Sequence, residues 1–233
     1  MNIHYLIEND FRKLLKQELE MLTLDHHSTV LNIACEFELI PPFLFSSLDR
    51  EHVFGLEINR EIVAKVPNIK YCDVDHDRFP FEDNNFDLIL SFFGIEHFQD
   101  INIFKETCRT LKPGGHFLFV IPNRCHPIFF LNSLIGGNFS KWYYRNIIKS
   151  DYQPHTAYYK FNSLGTIKRT AKESGLTVER VTFFGPSQIL NYFSFSKGVQ
   201  KLVSLFEHLL TNKLFYRFKP YMIVVMKRDD SSS

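Results

Sequence analysis

Apolar side chains recur along the chain in two rhythms. Between Ile3 and Leu24 the positions Leu6, Ile7, Phe11, Leu14, Leu15, Leu19 and Leu22 follow one another at spacings of one, three and four, the pattern of an amphipathic helix. Short β-branched or aromatic runs bounded by polar residues then predict strands at Thr29–Ala34, His52–Leu56, Ile69–Cys72, Phe86–Ser91 and His116–Ile121. Helix-length segments lie between them at Leu39–Leu48, Arg60–Val66 and Asp100–Leu111, the last stopped by Pro113-Gly114-Gly115. Strand alternating with helix predicts a parallel sheet covered on both faces, a doubly wound α/β fold. After Pro122 the rhythm breaks. Asn123–Lys160 is aromatic and rich in turn formers, too long for an ordinary connection, and reads as a lid or binding insertion. A helix at Phe161–Ser174, a sixth strand at Leu176–Phe184, a helical insertion over Pro186–Pro220 and a seventh strand at Tyr221–Met226 follow.

Composition sharpens this picture at three points. With 45% hydrophobic residues and only Gly 10 and Pro 10, collagen-like and disordered classes are excluded. Phe 25 is more than a core of this size needs, so some rings should face solvent or a ligand. Charge is unevenly spread: Met1–Asn123 carries 11 basic and 20 acidic residues, Arg124–Arg228 carries 16 basic and 4 acidic. The C-terminal half should therefore attract something anionic. Cys35, Cys72, Cys108 and Cys125 include no C-x-x-C pair, Met1–Asp10 lacks the basic and apolar regions of a signal peptide, and no uncharged run reaches the roughly 20 residues of a spanning helix. These features predict a cytoplasmic, membrane-peripheral protein. No metal set stands out among the 10 histidines, so no metal is expected.

Ligands of a doubly wound sheet bind beyond the carboxyl ends of its strands. After the second strand stand Glu57 and Ile58, where a carboxylate could accept both hydroxyls of a ribose or, equally, cap the next helix. After the third come Asp73 and Val74, an acid for an adenine amino group and an apolar neighbour for its ring. Ser91 and Phe92 close the fourth. The stretch Phe79-Pro-Phe-Glu-Asp-Asn-Asn-Phe-Asp-Leu-Ile-Leu-Ser-Phe-Phe-Gly-Ile-Glu-His97, followed by Lys105-Glu106-Thr-Cys-Arg109-Thr-Leu-Lys-Pro-Gly-Gly115 and Ile121-Pro122-Asn123, resembles the class I S-adenosylmethionine-dependent methyltransferases, in the branch acting mostly on small molecules, lipids and sugars. The resemblance implies a seven-stranded sheet with its last strand antiparallel. It also implies one domain over residues 1–233: an N-terminal helix (1–27), a cofactor-binding core (28–123), a lid insertion (124–160) and C-terminal strands (161–228) with a helical insertion (186–220).

Carried over, the resemblance makes Asn32, Ala34, Glu36, Glu57, Ile58, Asp73, Val74, Ser91 and Phe92 the cofactor-binding residues. The departure lies in the first loop, where Asn32-Ile33-Ala34-Cys35-Glu36-Phe37-Glu38 replaces a run with three glycines. Glycine serves at such loops by permitting positive φ and close approach of a ligand to the backbone. His97 and His155 are the candidate bases, His97 alternatively a histidine that holds the start of a helix and His155 one that packs the lid; Tyr158 and Tyr159 are candidate acceptor-lining rings. Two functions stay open: methyl transfer from S-adenosylmethionine to a small or lipid-linked, anionic acceptor, or a non-catalytic relative that binds a membrane or partner through its basic aromatic half. Lys197, Lys201, Lys213, Arg217 and Lys219 lie among the rings of Phe183–Tyr221, which suits an anionic membrane surface. No nucleic acid is expected.

Overall fold

The computed structural model describes residues 2–5, 11–35, 49–134, 141–142, 145–146, 149, 155–185, 196–209 and 215–229. Its strands are β1 (Asn2–Tyr5), β2 (Val30–Ile33), β3 (Val53–Glu57), β4 (Ile69–Tyr71), β5 (Phe86–Phe92), β6 (Leu111–Pro122), β7 (Leu176–Phe184) and β8 (Tyr221–Arg228). Helices are α1 (Phe11–Glu20), α2 (Arg60–Val63), α3 (Asn102–Thr110), α4 (Pro127–Leu134), α5 (Leu164–Glu173) and α6 (Lys197–Leu209). The strands form one sheet in the order β1-β7-β8-β6-β5-β2-β3-β4. Every pairing is parallel except those of β8, which runs antiparallel to β6 and β7.

Period-two alternation divides the core. Leu88 and Leu90 of β5, Leu118 and Val120 of β6, and Ile223 and Val225 of β8 pack on one face with Leu14, Leu15 and Leu19 of α1. Ile89, Phe117, Phe119, Met222 and Val224 pack on the other, with Phe104 of α3 and Ile167 of α5. The Phe104 ring meets Phe117, Phe119 and Phe161 edge-on, with centroids 5.9, 6.0 and 5.0 Å away, a favoured geometry for aromatic pairs. Much of the phenylalanine excess is thus core: Phe79, Phe86, Phe104, Phe117, Phe119 and Phe183 are fully buried.

The seven expected strands are all present, and the last is antiparallel as the resemblance implied. The N-terminal expectation needs correction. Instead of one helix over Ile3–Leu24, the chain opens with β1, which extends the sheet as an eighth, edge strand beside β7, with Asn2 opposite Arg180 and Tyr5 opposite Phe183. The described helix spans Phe11–Glu20. An ion pair between buried Glu18 and half-buried Arg180 fixes that helix to the neighbouring strand β7: Arg180 Nε donates to Glu18 Oε2 at 2.7 Å, and the Thr182 hydroxyl to Glu18 Oε1 at 2.6 Å. Removing one partner of such a pair leaves an uncompensated buried charge. Glu18→Ala is expected to lower stability by about 3–5 kcal/mol, read from a urea midpoint at unchanged m-value.

Residues of the Phe79–Arg109 stretch act as a structural clamp. The Arg109 guanidinium donates to Glu106, to Asp83 at 2.6 Å, and to the carbonyls of Phe79 and Phe81 at 3.1 and 3.0 Å, while Phe79 N–H donates to Glu106 Oε2 at 2.8 Å. Burial alone would raise the Glu106 carboxyl, but these hydrogen bonds outweigh it and hold it below the usual range. The loop before β5 is thereby tied to α3. Asn123 does the same at the other end of the sheet, its amide donating to Arg217 and Lys219 carbonyls at 2.7 Å each. Helix α5 starts at Ser163, which forms a capping box with Thr166. The expected helix Leu39–Leu48 lies outside the described residues, as do parts of both insertions.

Candidate active site

Strand order places the ends of β5, β2, β3 and β4 side by side, and since all four are parallel their carboxyl ends share one edge. The chain reverses direction across the sheet between β2 and β5, the place where doubly wound folds open a crevice. Hydrogen bonds and close packing stitch the loop ends together there. Ala34 N–H donates to Leu56 O at 3.0 Å, and Cys72 N–H to Glu57 O at 3.1 Å. A Cβ built on Gly94 would stand 2.8 Å from Ser91 Oγ and 2.9 Å from Ala34 Cβ. Only glycine fits at 94.

Two backbone outliers flank this notch. Ala34, at the end of β2, has φ 57°, and Phe93, just past β5, has φ 55°. Non-glycine residues reach this left-handed region at a cost of roughly 1–2 kcal/mol. Ala34 thus keeps the conformation for which a glycine would be used, despite its methyl group. Asn32 is buried on β2, paired with Gly55 and Leu90 on the flanking strands. Ser91 is fully buried and its hydroxyl has no hydrogen-bond partner. Buried polar groups are normally satisfied, so an orphaned hydroxyl in a notch invites a ligand. Phe92 is half-buried against the α1 side of the core. Glu36 and Glu38 lie outside the described residues.

Glu57 is buried at the end of β3, and its Oε1 accepts from Ile58 and Asn59 N–H groups at 2.9 Å each. The carboxylate is thereby locked at the crevice, while Ile58 projects into solvent beside it. Asp73 is more engaged than its position in the sequence suggests. Oδ1 accepts from Asp75 N–H at 3.2 Å and Oδ2 contacts His76 Nδ1 at 3.0 Å. That hydrogen bond, then the Asp73 charge, raises the His76 pKa. Val74 is buried in the core. Burial, with the Asp77 and Asp73 charges, pushes the Cys72 thiol up to about 12, so this sulfur packs rather than reacts.

The two histidine candidates come together. His97 Nδ1 lies 2.9 Å from Thr156 O, a contact that requires the proton on Nδ1 and leaves the lone pair of the neutral ring on Nε2. Its ring meets that of His155 edge-on, centroids 5.8 Å apart. Tyr158 is exposed, but Tyr159 is buried against Phe129, its phenol oxygen accepting from Asn132 at 2.8 Å, and so packs the interior rather than lining an open site.

Glu96 was not among the expected residues. It is buried one position before His97, its carbonyl accepts from Tyr158 and Tyr159 N–H groups at 2.7 and 3.2 Å, and its Oε2 has no partner. Burial pushes its carboxyl up to about 8, so at neutral pH it holds a proton. The signal in the sequence is an acid directly after the apolar run Phe92-Phe93-Gly94-Ile95.

Residues 31–119 match the methyltransferase-domain family. That stretch, and not the rest of the chain, is what is similar to the methyltransferase domain. It is 29% identical over 160 residues to a demethylmenaquinone methyltransferase of Chlorobaculum tepidum, a match covering 62% of this chain and 61% of that protein. A demethylmenaquinone methyltransferase of Staphylococcus aureus is 41% identical over 61 residues, 26% of this chain and 25% of its own. The chain thus spans less than two thirds of the length of the curated relatives it matches. Among solved structures, an S-adenosylmethionine-dependent methyltransferase from Mesorhizobium loti superposes with a TM-score of 0.54 at 17% identity, covering 91% of this chain and 96% of that one. Geranyl diphosphate C-methyltransferase from Streptomyces coelicolor, solved with Mg2+, geranyl diphosphate and S-adenosylhomocysteine, gives 0.57 at 13% identity, covering 93% and 80%. At these identities the structural neighbours speak to the methyltransferase fold.

Proposed function

We propose that this methyltransferase domain moves a methyl group from S-adenosylmethionine to a small or lipid-linked, anionic acceptor. The observation that carries the reading is at the switch point, where Gly94 packs against Ala34 and Ser91 with no room for a side chain and the Ser91 hydroxyl is buried without a partner. The residues present fit the cofactor: Glu57 and Ile58 for the ribose, Asp73 and Val74 for the adenine, Asn32, Ala34, Ser91 and Phe92 around the methionine end. S-adenosylmethionine supplies a methyl group activated on a sulfonium. The chain's own part is to align it with the acceptor and exclude water, which is where most of the rate of an in-line transfer originates. In this reading His97, oriented through Nδ1, and His155 beside it hold the acceptor's proton. Relatives named for demethylmenaquinone and a neighbour holding geranyl diphosphate support an acceptor with an apolar body, the latter also with an anionic head.

One observation favours the alternative, a ligand-binding relative without transfer: the Asp73 carboxylate is already bonded within its own turn and to His76. Calorimetry with S-adenosylmethionine and S-adenosylhomocysteine separates the two. Binding by the wild type is expected, weakened roughly 10- to 100-fold by Glu57→Gln, which keeps an acceptor for the turn but loses the charge-assisted bonds to the ribose. No binding by folded protein would favour the alternative. Affinity should also rise with pH as His76 deprotonates through its raised pKa and releases Asp73, and His76→Gln should flatten that dependence.

A further inference from the structure

Helices α4 and α6 turn apolar faces to solvent. In α4 the inward side chains are Phe129 and Asn132, yet the outward positions Pro127, Phe130, Leu131 and Leu134, spaced i, i+3, i+4, i+7, are also apolar, with Leu131 and Leu134 exposed at 60% and 62%. A helix apolar all round belongs inside a protein or against lipid. In α6, Val199 and Val203 are half-buried, while Leu202, Leu205, Phe206 and Leu209 repeat the same spacing on an exposed stripe, Leu202 and Leu209 at 69% and 59%. The two helices are neighbours: the Phe206 ring lies 6.5 Å from that of His126, the residue before α4. The short 3-10 turn Tyr216–Phe218, flanked by exposed Phe215, is held near the start of α4 by the Asn123 amide bonds to Arg217 and Lys219 carbonyls.

Cations frame these faces. Arg124 precedes α4, Lys197 and Lys201 lie on α6, and Arg217 stands on the turn. We propose that α4, α6 and the Tyr216–Phe218 turn form one docking surface for an anionic lipid membrane. Apolar stripes flanked by lysine and arginine fit a headgroup boundary, where apolar side chains enter the acyl region and cations meet anionic lipid. A second copy of the chain fits less well, because it would bring the same positive charge against itself. The surface adjoins the acceptor side of the site, since Asn132 of α4 bonds Tyr159 and the Tyr158 and Tyr159 amides bond Glu96. The inference uses no cofactor-binding residue and stands or falls apart from methyl transfer.

The test is sedimentation of the full chain, without S-adenosylmethionine, on vesicles of phosphatidylcholine and of phosphatidylcholine mixed with phosphatidylglycerol. Pelleting is expected on the mixed vesicles and not on the neutral ones, and to fall at least tenfold in Leu131→Glu/Leu134→Glu and in Leu202→Glu/Leu205→Glu. Both double variants change exposed positions and should keep the wild-type melting temperature. Absence of pelleting on anionic vesicles, or pelleting unchanged in both variants, would overturn the proposal. So would concentration-dependent dimerisation that these substitutions abolish in a protein indifferent to lipid.

Discussion

Glu96→Gln is expected to remove a fall in stability with rising pH, so that the wild type is the more stable protein at pH 5 and the variant at pH 9. The Glu96 carboxyl titrates near 4.5 in the unfolded chain and at about 8 in the folded one, raised by burial. Below the lower value both states are protonated and the group contributes nothing to the slope. Between the two values the folded protein keeps a proton that the unfolded chain has released, so stability falls as pH rises, and above 8 the loss is complete. At about 1.4 kcal/mol per pKa unit the full loss is on the order of 5 kcal/mol. Glutamine does not titrate, but it brings an amide with unsatisfied donors, at a cost of about 1–3 kcal/mol. The wild type should therefore be the more stable protein at pH 5 and the variant at pH 9, in urea melts followed at both values. Parallel pH slopes for the two proteins would show that the carboxyl is not held protonated.

Gly94→Ala should both destabilise the fold and close the candidate cofactor site. Its Cβ would meet Ser91 Oγ at 2.8 Å and Ala34 Cβ at 2.9 Å, below any ordinary contact. Overpacking of this kind costs about 1–3 kcal/mol, and the turn Ile95–His97 that starts at Gly94 must shift with it. Affinity for S-adenosylhomocysteine should fall by more than tenfold. Ala34→Gly removes one of the two collisions and relaxes a residue at φ 57°, so alone it should stabilise by about 1 kcal/mol. In the double variant the two changes should be coupled, with less loss than the single effects add up to. Additive effects, measured by urea melts of all four proteins, would mean that the two loops do not touch.

Short apolar runs at Phe86–Ser91, His116–Ile121 and Tyr221–Met226 identify the three central strands from sequence, because both faces of the sheet are covered and side chains on either side of the strand are buried. Asn2–Tyr5 escapes such reading. Four residues carry too little periodicity, and the edge of β7 that pairs with them is built about 175 residues later in the chain. The site divides the same way. Glu57, Asp73 and Ser91 are legible because strand ends in a parallel sheet share one edge. That Asp73 is held by His76, that Ser91 has no partner and that Glu96 is buried depend on what surrounds each side chain, which residue type and spacing do not record. Glu106 and Arg109 show the converse: part of the stretch resembling methyltransferases clamps a loop through Phe79 and Asp83.

Hydrogen exchange of the full chain with and without S-adenosylhomocysteine tests most directly whether the carboxyl edge of β2–β5 is the cofactor site. Protection should appear together at Ala34–Cys35, Ile58–Asn59, Asp73–Asp75 and Phe92–Gly94, and Glu57→Gln should weaken it at all four. Unchanged exchange at these segments under saturating ligand, in protein whose core amides remain protected, would contradict the assignment.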